Sequence, residues 1–114
     1  MNPVEQIKLA KVAYNGTQNC VLKYMSMRNK MKTPVVTVDQ IMDFFGHRIS
    51  RRDTLVKSLG TMLRHNFIKK VENGYIITNI GKHVPFVVAS LHMEKQIRLG
   101  KRASTVNEDW KENE

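Results

Sequence analysis

The clearest structural pattern in this chain lies in residues 46–78, GHRISRRDTLVKSLGTMLRHNFIKKVENGYIIT. Its first half carries apolar residues at the spacing of one helix face, at positions Leu55, Leu59, Met62 and Leu63. We predict a helix over residues 51–65, with Ser50 as its N-cap and Asp53 completing an acidic capping box. The helix should end at His65-Asn66, because Asn is a common left-handed residue at helix ends.

The second half of this stretch has the pattern of a β-hairpin. Phe67 and Ile68 begin a first strand, and Tyr75–Thr78 is the return strand. Between them, Asn73-Gly74 is the strongest short hairpin signal, because both central residues of a type I′ turn need positive φ.

Basic residues are concentrated in the same stretch. The formal net charge is +9, from 19 basic and 10 acidic residues. Residues 46–70 hold one acidic residue, Asp53, and seven basic residues, Arg48, Arg51, Arg52, Lys57, Arg64, Lys69 and Lys70. Charge focused on one element indicates a polyanionic partner more strongly than total charge does. The total charge alone is sufficiently explained by a solvated surface.

Length and composition favour a single soluble domain, with 114 residues, 41% of them hydrophobic and 25% charged. We assign the domain to residues 1–99 and a polar, disordered tail to residues 100–114. Neither a signal peptide nor a membrane-spanning run is evident, and the single Cys20 excludes an intrachain disulfide. We therefore expect a cytoplasmic, nucleoid-associated protein with no membrane partner.

The residues before this stretch predict three further elements. A helix over residues 3–14 begins at Pro3 and is broken by Asn15-Gly16. Thr17 caps a helix over residues 18–30, which buries Val21, Leu22, Tyr24 and Met25. Residues 33–36 cannot continue that helix, because the residue before Pro34 avoids the α region, and they are predicted to pair with the hairpin.

A short helix follows and ends at Gly46. Thr37 and Gln40 form a capping box, and Val36 and Ile41 occupy the positions of a hydrophobic staple. Its apolar stripe is Ile41, Phe44 and Phe45. Together with residues 51–65 it makes a helix-turn-helix pattern, in which Gly60 is interpreted as a close-packing position.

The last helix is capped by Thr78, is restarted or kinked by Pro85 and ends near Arg98. A helical wheel gives it two apolar stripes. One stripe is Phe86, Ala89, Met93 and Ile97, and the other is Val84, Val87, Val88 and Leu91. We predict a homodimer that buries the second stripe, the alternative being that the N-terminal helix covers it within one chain.

No catalytic constellation is evident. The histidines at 47, 65, 83 and 92 lack metal-ligand spacing, and there is no phosphate-binding glycine loop or nucleophile elbow. We predict no enzymatic activity, no cofactor and no metal site.

The outer face of the helix over residues 51–65 has the side chains that contact DNA. A major groove admits one α-helix; Arg, Lys, Ser and Thr recognise base edges, while phosphates bind Lys, Arg and backbone N–H groups. We predict that double-stranded DNA is the partner. The predicted DNA-binding residues are Arg48, Ser50, Arg51, Arg52, Thr54, Lys57, Ser58, Thr61, Lys69 and Lys70.

Residues 17–98 resemble winged helix-turn-helix transcription regulators of the MarR and PadR type. The resemblance is most specific in ISRRDTLVKSLGTML and in FIKKVENGYIITNIGK. It implies an α+β fold with a three-helix core, a small β-hairpin wing and extra N- and C-terminal helices. Residues 37–45 would be the supporting helix, residues 51–65 the recognition helix, and Ile68–Val71 and Tyr75–Thr78 the wing strands.

Two features depart from the family pattern: Asn66 replaces the commoner Gly, and the wing turn has only two residues. The implied function is that of a sequence-specific duplex-DNA-binding regulator. The alternative is a winged-helix adaptor that contacts a protein of the transcription or replication machinery, since fold does not fix function.

Overall fold

A computed structural model describes residues 2–49 and 51–99. These residues form an α+β fold, as predicted, with five α-helices and one two-stranded antiparallel sheet. The elements are α1 (Pro3–Ala10), α2 (Thr17–Lys30), α3 (Val38–Phe45), a 3-10 turn (Gly46–Arg48), α4 (Arg52–Arg64), β1 (Ile68–Val71), β2 (Gly74–Ile77) and α5 (Asn79–Arg98). The predicted tail over residues 100–114 lies outside the described residues. No helix of the described ranges is long and apolar enough to cross a membrane.

Helix α4 packs on the core through the predicted face. Leu55, Leu59 and Met62 are fully buried, and Leu63 packs against them at the edge of the core. Burying each such side chain stabilises the fold by about 1.5–3 kcal/mol. The start of the helix differs from the prediction, because Arg51 rather than Ser50 is the N-cap, and it makes no side-chain capping bond. The predicted box with Asp53 needs Ser50 and stays a prediction. Ser50 lies outside the described residues.

The end of α4 forms the predicted left-handed cap. Asn66 has φ of 62°. Its N–H donates to the carbonyl of Leu63 at 3.1 Å, and the N–H of Phe67 donates to the carbonyl of Met62 at 2.9 Å. This is the double hydrogen bond of a Schellman motif. Phe67 is thereby turned into the core, where its side chain is fully buried.

The hairpin turn is one residue earlier than predicted. Ile68 pairs with Ile77 and Val71 pairs with Gly74, so the two loop residues are Glu72-Asn73 rather than Asn73-Gly74. Asn73 is not among the residues with positive φ, which excludes the predicted type I′ turn. The return strand accordingly begins at Gly74.

A third extended segment explains the position of Gly74. Val36 and Tyr75 exchange two backbone hydrogen bonds of 2.9 Å in an isolated bridge, so the predicted pairing of residues 33–36 with the hairpin is right for Val36 only. A Cβ atom at Gly74 would lie 2.5 Å from the carbonyl oxygen of Val36, and Gly74 has φ of 155°. Only glycine fits this position, and it is therefore required by the bridge rather than by the turn.

Helix α3 begins as predicted. The N–H of Thr37 donates to Gln40 Oε1 at 3.0 Å, and the N–H of Gln40 donates to Thr37 Oγ1 at 3.1 Å. Val36 and Ile41 are both fully buried, as expected of a hydrophobic staple. The predicted apolar stripe is only partly right, because Phe44 is 50% exposed.

The N-terminal region differs most from the prediction. Helix α1 ends at Ala10 because Lys11 is left-handed, with φ of 53°. Tyr14 therefore lies outside the helix, and its ring stacks on His92 of α5 with centroids 4.0 Å apart. Helix α2 begins at Thr17, with Gly16 as N-cap, so the predicted Thr17 cap is wrong.

Helix α5 runs without a break from Asn79 to Arg98, with Pro85 inside it. Val84 and Val88 are buried in the chain's own core, while Val87 and Leu91 are half-buried beside α1. Val84 and Val88 are thus not available to the predicted dimerisation surface, whereas Val87 and Leu91 line a groove between α1 and α5. Dimerisation itself stays a prediction. The other stripe is the open one, with Phe86, Met93 and Ile97 exposed by 71%, 53% and 62%.

The start of α5 rests on the backbone that ends α4. Thr78 Oγ1 accepts from the N–H of Gly81 at 3.1 Å, as a predicted N-cap, and donates to the carbonyl of Asn66 at 2.6 Å. The N–H of Thr78 donates to the carbonyl of Phe67 at 3.1 Å. A Cβ atom at Gly81 would overlap the same Phe67 carbonyl.

Substitution by alanine should change the free energy of unfolding in opposite directions at Gly81 and Gly60. Gly81→Ala should lower the free energy of unfolding by about 1–3 kcal/mol, since the added Cβ overpacks against Phe67. A Cβ atom added at Gly60 would meet no atom of the described residues within 4 Å, so the interpretation of Gly60 as a close-packing position is wrong. Gly60→Ala should therefore raise the free energy of unfolding by about 0.5–1 kcal/mol through helix propensity. Urea unfolding of both variants checks this, and destabilisation by Gly60→Ala would contradict it.

The helix face of α4 is tested by a second pair of variants. Leu59→Ala should lower the free energy of unfolding by about 2–5 kcal/mol, because a buried leucine leaves a cavity. Lys57→Ala removes an exposed side chain and should change it by no more than about 0.5 kcal/mol. Thermal unfolding of the two variants is the measurement, and equal destabilisation would contradict the assigned face.

Candidate nucleic-acid interface

All seven basic residues of the stretch 46–70 are solvent-exposed. They are Arg48 in the turn before α4, Arg51, Arg52, Lys57 and Arg64 along α4 and its start, and Lys69 and Lys70 on β1. For Arg52, Lys57 and Arg64 this follows from the packing of α4, because the side that carries its leucines is inside and leaves these cations outside. The stretch therefore forms one continuous chain segment with a cationic outer surface, which we call the basic segment.

The predicted site residues on α4 differ in how freely they face solvent. Thr54 and Lys57 are exposed, whereas Ser58 and Thr61 are half-buried. The hydroxyl of Thr61 donates to the carbonyl of Lys57 at 3.2 Å and accepts from Arg64 at 3.2 Å. Its hydrogen bonds are thus made within the helix. Ser50, also a predicted site residue, lies outside the described residues.

Arg52 is held by an acidic residue of α3. Its Nη1 donates to Asp39 Oδ1 at 2.6 Å, and both side chains remain largely exposed to solvent. An exposed ion pair of this kind contributes about 0–1 kcal/mol and is screened by salt. The pair links α3 to the first turn of α4, and an approaching anion must compete with Asp39 for Arg52. Sequence reasoning did not find this contact, because the two residues lie on separate helices.

The two lysines of β1 cannot act on one surface together. Lys69 and Lys70 are consecutive in a strand, and consecutive side chains point to opposite faces of a sheet. Lys70 Nζ lies 4.8 Å from the ring centroid of its cross-strand neighbour Tyr75, which fixes its direction by a cation–π contact. Lys69 pairs in register with Ile76.

Arg48 lies beside an aromatic cluster that the sequence did not reveal. Its guanidinium is 5.7 Å from the ring centroid of Phe45, and Phe45 and Phe44 pack against Tyr24 of α2. Arg28 of α2 donates to the Tyr24 hydroxyl at 2.9 Å. The spacing of Tyr24 and Arg28, four residues apart on α2, was the available signal.

The described residues contain no group of three or more His, Cys, Asp or Glu side chains placed to bind a metal ion. Comparison of the chain with protein-family models, with curated proteins and with solved structures found no match. A function is therefore inferred from the geometry and charge of the basic segment.

The ion pair of Asp39 with Arg52 gives a test of the surface charge. Asp39→Asn should elute from a heparin column at higher salt than the unchanged protein, because it leaves Arg52 free to bind the polyanion. Glu94→Gln is the matched control, since it removes the same charge from an exposed pair with Arg98 on α5. Equal shifts for the two variants would show that heparin senses net charge rather than the basic segment.

Proposed function

We propose that this protein is a sequence-specific, duplex-DNA-binding transcription regulator that inserts α4 into the major groove. The observation that carries the proposal is the exposure of all seven cations of the basic segment. A helix with its leucines buried and its cations outside has the dimensions and the charge that a major groove accepts.

The order of elements supports this proposal. Helix α3, one 3-10 turn, helix α4 and the hairpin β1–β2 follow one another as they would in a winged helix-turn-helix. In that arrangement α3 is the supporting helix, α4 the recognition helix and the hairpin the wing. The wing has a two-residue loop, so its contribution is limited to phosphate contacts from Lys69 or Lys70.

The residues at the start and middle of α4 have separate roles in the proposal. Arg52 and Lys57 contact base edges, and Arg51 contacts a phosphate. Arg52 reaches a base only by leaving Asp39, so its contact depends on breaking an ion pair that the free protein makes. Lys57 has no carboxylate within salt-bridge distance among the described residues.

A second candidate function is a protein–protein adaptor of the transcription or replication machinery. The exposed stripe of α5, with Phe86, Met93 and Ile97, is the observation that favours it. Single exposed apolar residues are ordinary, but a row of them along one helix face is typical of an interaction surface. The adaptor would use α5, whereas the regulator uses α4.

The cellular setting belongs to the same proposal. A regulator of this kind acts in the cytoplasm, on the nucleoid. The homodimer stays a prediction, although Val84 and Val88 of its predicted surface are buried within one chain. The salt dependence of DNA binding tests it, because two subunits would double the number of phosphates contacted.

The deciding experiment is a titration of labelled duplex DNA at several salt concentrations. If about four phosphates are contacted per subunit, log K should fall with log salt with a slope of about −4, doubled for a dimer. The triple variant Arg51→Ala, Arg52→Ala, Lys57→Ala should bind more weakly, with a slope smaller by about one for each lost phosphate contact. Replacing a base contact should cost about 1–3 kcal/mol on the preferred sequence only.

The matched control removes the same charge elsewhere, through Lys8→Ala, Lys11→Ala and Lys95→Ala, all three of which are exposed. Both triple variants should unfold at similar temperatures. If the α4 variant keeps the affinity of the unchanged protein, or the unchanged protein binds no duplex at low salt, the regulator is rejected and the adaptor takes its place.

A further inference from the structure

A groove of about 420 Å³ lies between α2 and α5, away from the basic segment. Its apolar walls include Met27 of α2 and Pro85, Phe86 and Ala89 of α5. Phe86 is the most exposed of these side chains, at 71%. The groove is therefore an apolar surface that is open to solvent and large enough for an aromatic side chain.

The rim of this groove is cationic. Lys23 and Lys30 line it, and no carboxylate of the described residues does. The neighbouring groove on the other side of Phe86 differs, because Glu94 lines it. A second copy of the chain, placed symmetrically, would bring the same lysines of two subunits together. The groove thus favours an occupant with an apolar centre and acidic flanks.

The chain itself contains such a segment. Trp110 is the only tryptophan, and it is flanked by Glu108, Asp109 and Glu112 with one cation, Lys111. We propose that residues 108–112 bind in the groove between α2 and α5, with the indole of Trp110 against Phe86 and Met27 and the carboxylates near Lys23 and Lys30. The proposal is independent of DNA binding by α4.

The length of chain between α5 and Trp110 fits this contact. Phe86 and Ala89 precede Leu99 by 13 and 10 residues, which is about 15–20 Å along a helix. The 11 residues from Leu99 to Trp110 have a root-mean-square span of about 18 Å as a flexible chain, and a maximum of about 36 Å. The span of the linker matches the distance from Leu99 to the groove, which is the condition for a high effective concentration of Trp110 at the groove.

Exposed apolar residues lie along the same path. Met93 and Ile97 follow Phe86 and Ala89 at spacings of three or four residues, so they lie on one side of α5 between the groove and the chain beyond Leu99. A short linker gives an effective concentration of about 1 mM, so a contact with a Kd of about 1 mM is occupied in roughly half of the molecules.

Trp110 fluorescence tests the proposal directly, since it is the only tryptophan. Its emission in the full chain should be blue-shifted from that of a free peptide of residues 100–114, with acrylamide quenching reduced by roughly half. Phe86→Ala, at an exposed position, and the charge reversal Lys23→Glu, Lys30→Glu should each abolish both differences. The shift should also be the same at every protein concentration.

The matched controls are Leu9→Ala, an exposed apolar residue of α1, and the reversal Lys8→Glu, Lys11→Glu. Neither should change the emission. The proposal is overturned if Trp110 behaves as in the free peptide, or if its protection survives Phe86→Ala and the Lys23, Lys30 reversal. Protection that appears only as the protein concentration rises would also overturn it, and would place a second copy in the groove.

Discussion

The backbone at Asn66-Phe67 is the junction on which the arrangement of α4, the hairpin and α5 depends. The left-handed Asn66 ends α4 and turns the Phe67 side chain into the core, while the Phe67 carbonyl accepts from the N–H of Thr78. Thr78 in turn caps α5 and donates to the Asn66 carbonyl. One short segment thus fixes the end of a helix, the two ends of a hairpin and the start of the next helix. Satisfied backbone groups, rather than apolar area alone, determine how α4, the hairpin and α5 are oriented.

The two surfaces with functional interest arise from different constraints. The α4 cations of the basic segment are outside because the leucines of α4 must be inside, so the charge distribution of this helix follows from its phase. The apolar groove exists because α5 has two apolar stripes and the domain covers one of them, through the core and α1. A duplex would meet the first surface through long-range electrostatics, and an apolar segment would meet the second through short-range packing. Changes at one surface are therefore separable from changes at the other.

Local patterns predicted much of what local forces determine, although the cap at Thr17 was wrong. The core face of α4, the Asn66 cap, the box of Thr37 with Gln40 and the Thr78 cap each depend on residues close in sequence, and all were confirmed. The hairpin turn failed because Gly74 is required by the backbone of Val36, a contact across 38 residues that turn rules do not contain. The burial of Val84 and Val88 in the chain's own core was missed for the same reason, since two apolar stripes are equivalent until the rest of the fold packs against one of them. The ion pair of Asp39 with Arg52 joins separate helices and was likewise invisible.

Pro85 has a consequence for how α5 opens. Proline has no N–H, so the carbonyl four residues earlier, at Gly81, lacks its usual helical partner. The continuous helix thus lacks one backbone hydrogen bond between its first turns, which Thr78 and the core hold, and the turns from Phe86 to Arg98, whose outer side is exposed. Amide hydrogen exchange should therefore become progressively faster from the buried Val88 towards Leu99. The C-terminal end of α5 is then the part of this helix that unfolds locally at the lowest free-energy cost. Its local unfolding leaves the packing of α4 and the hairpin unchanged.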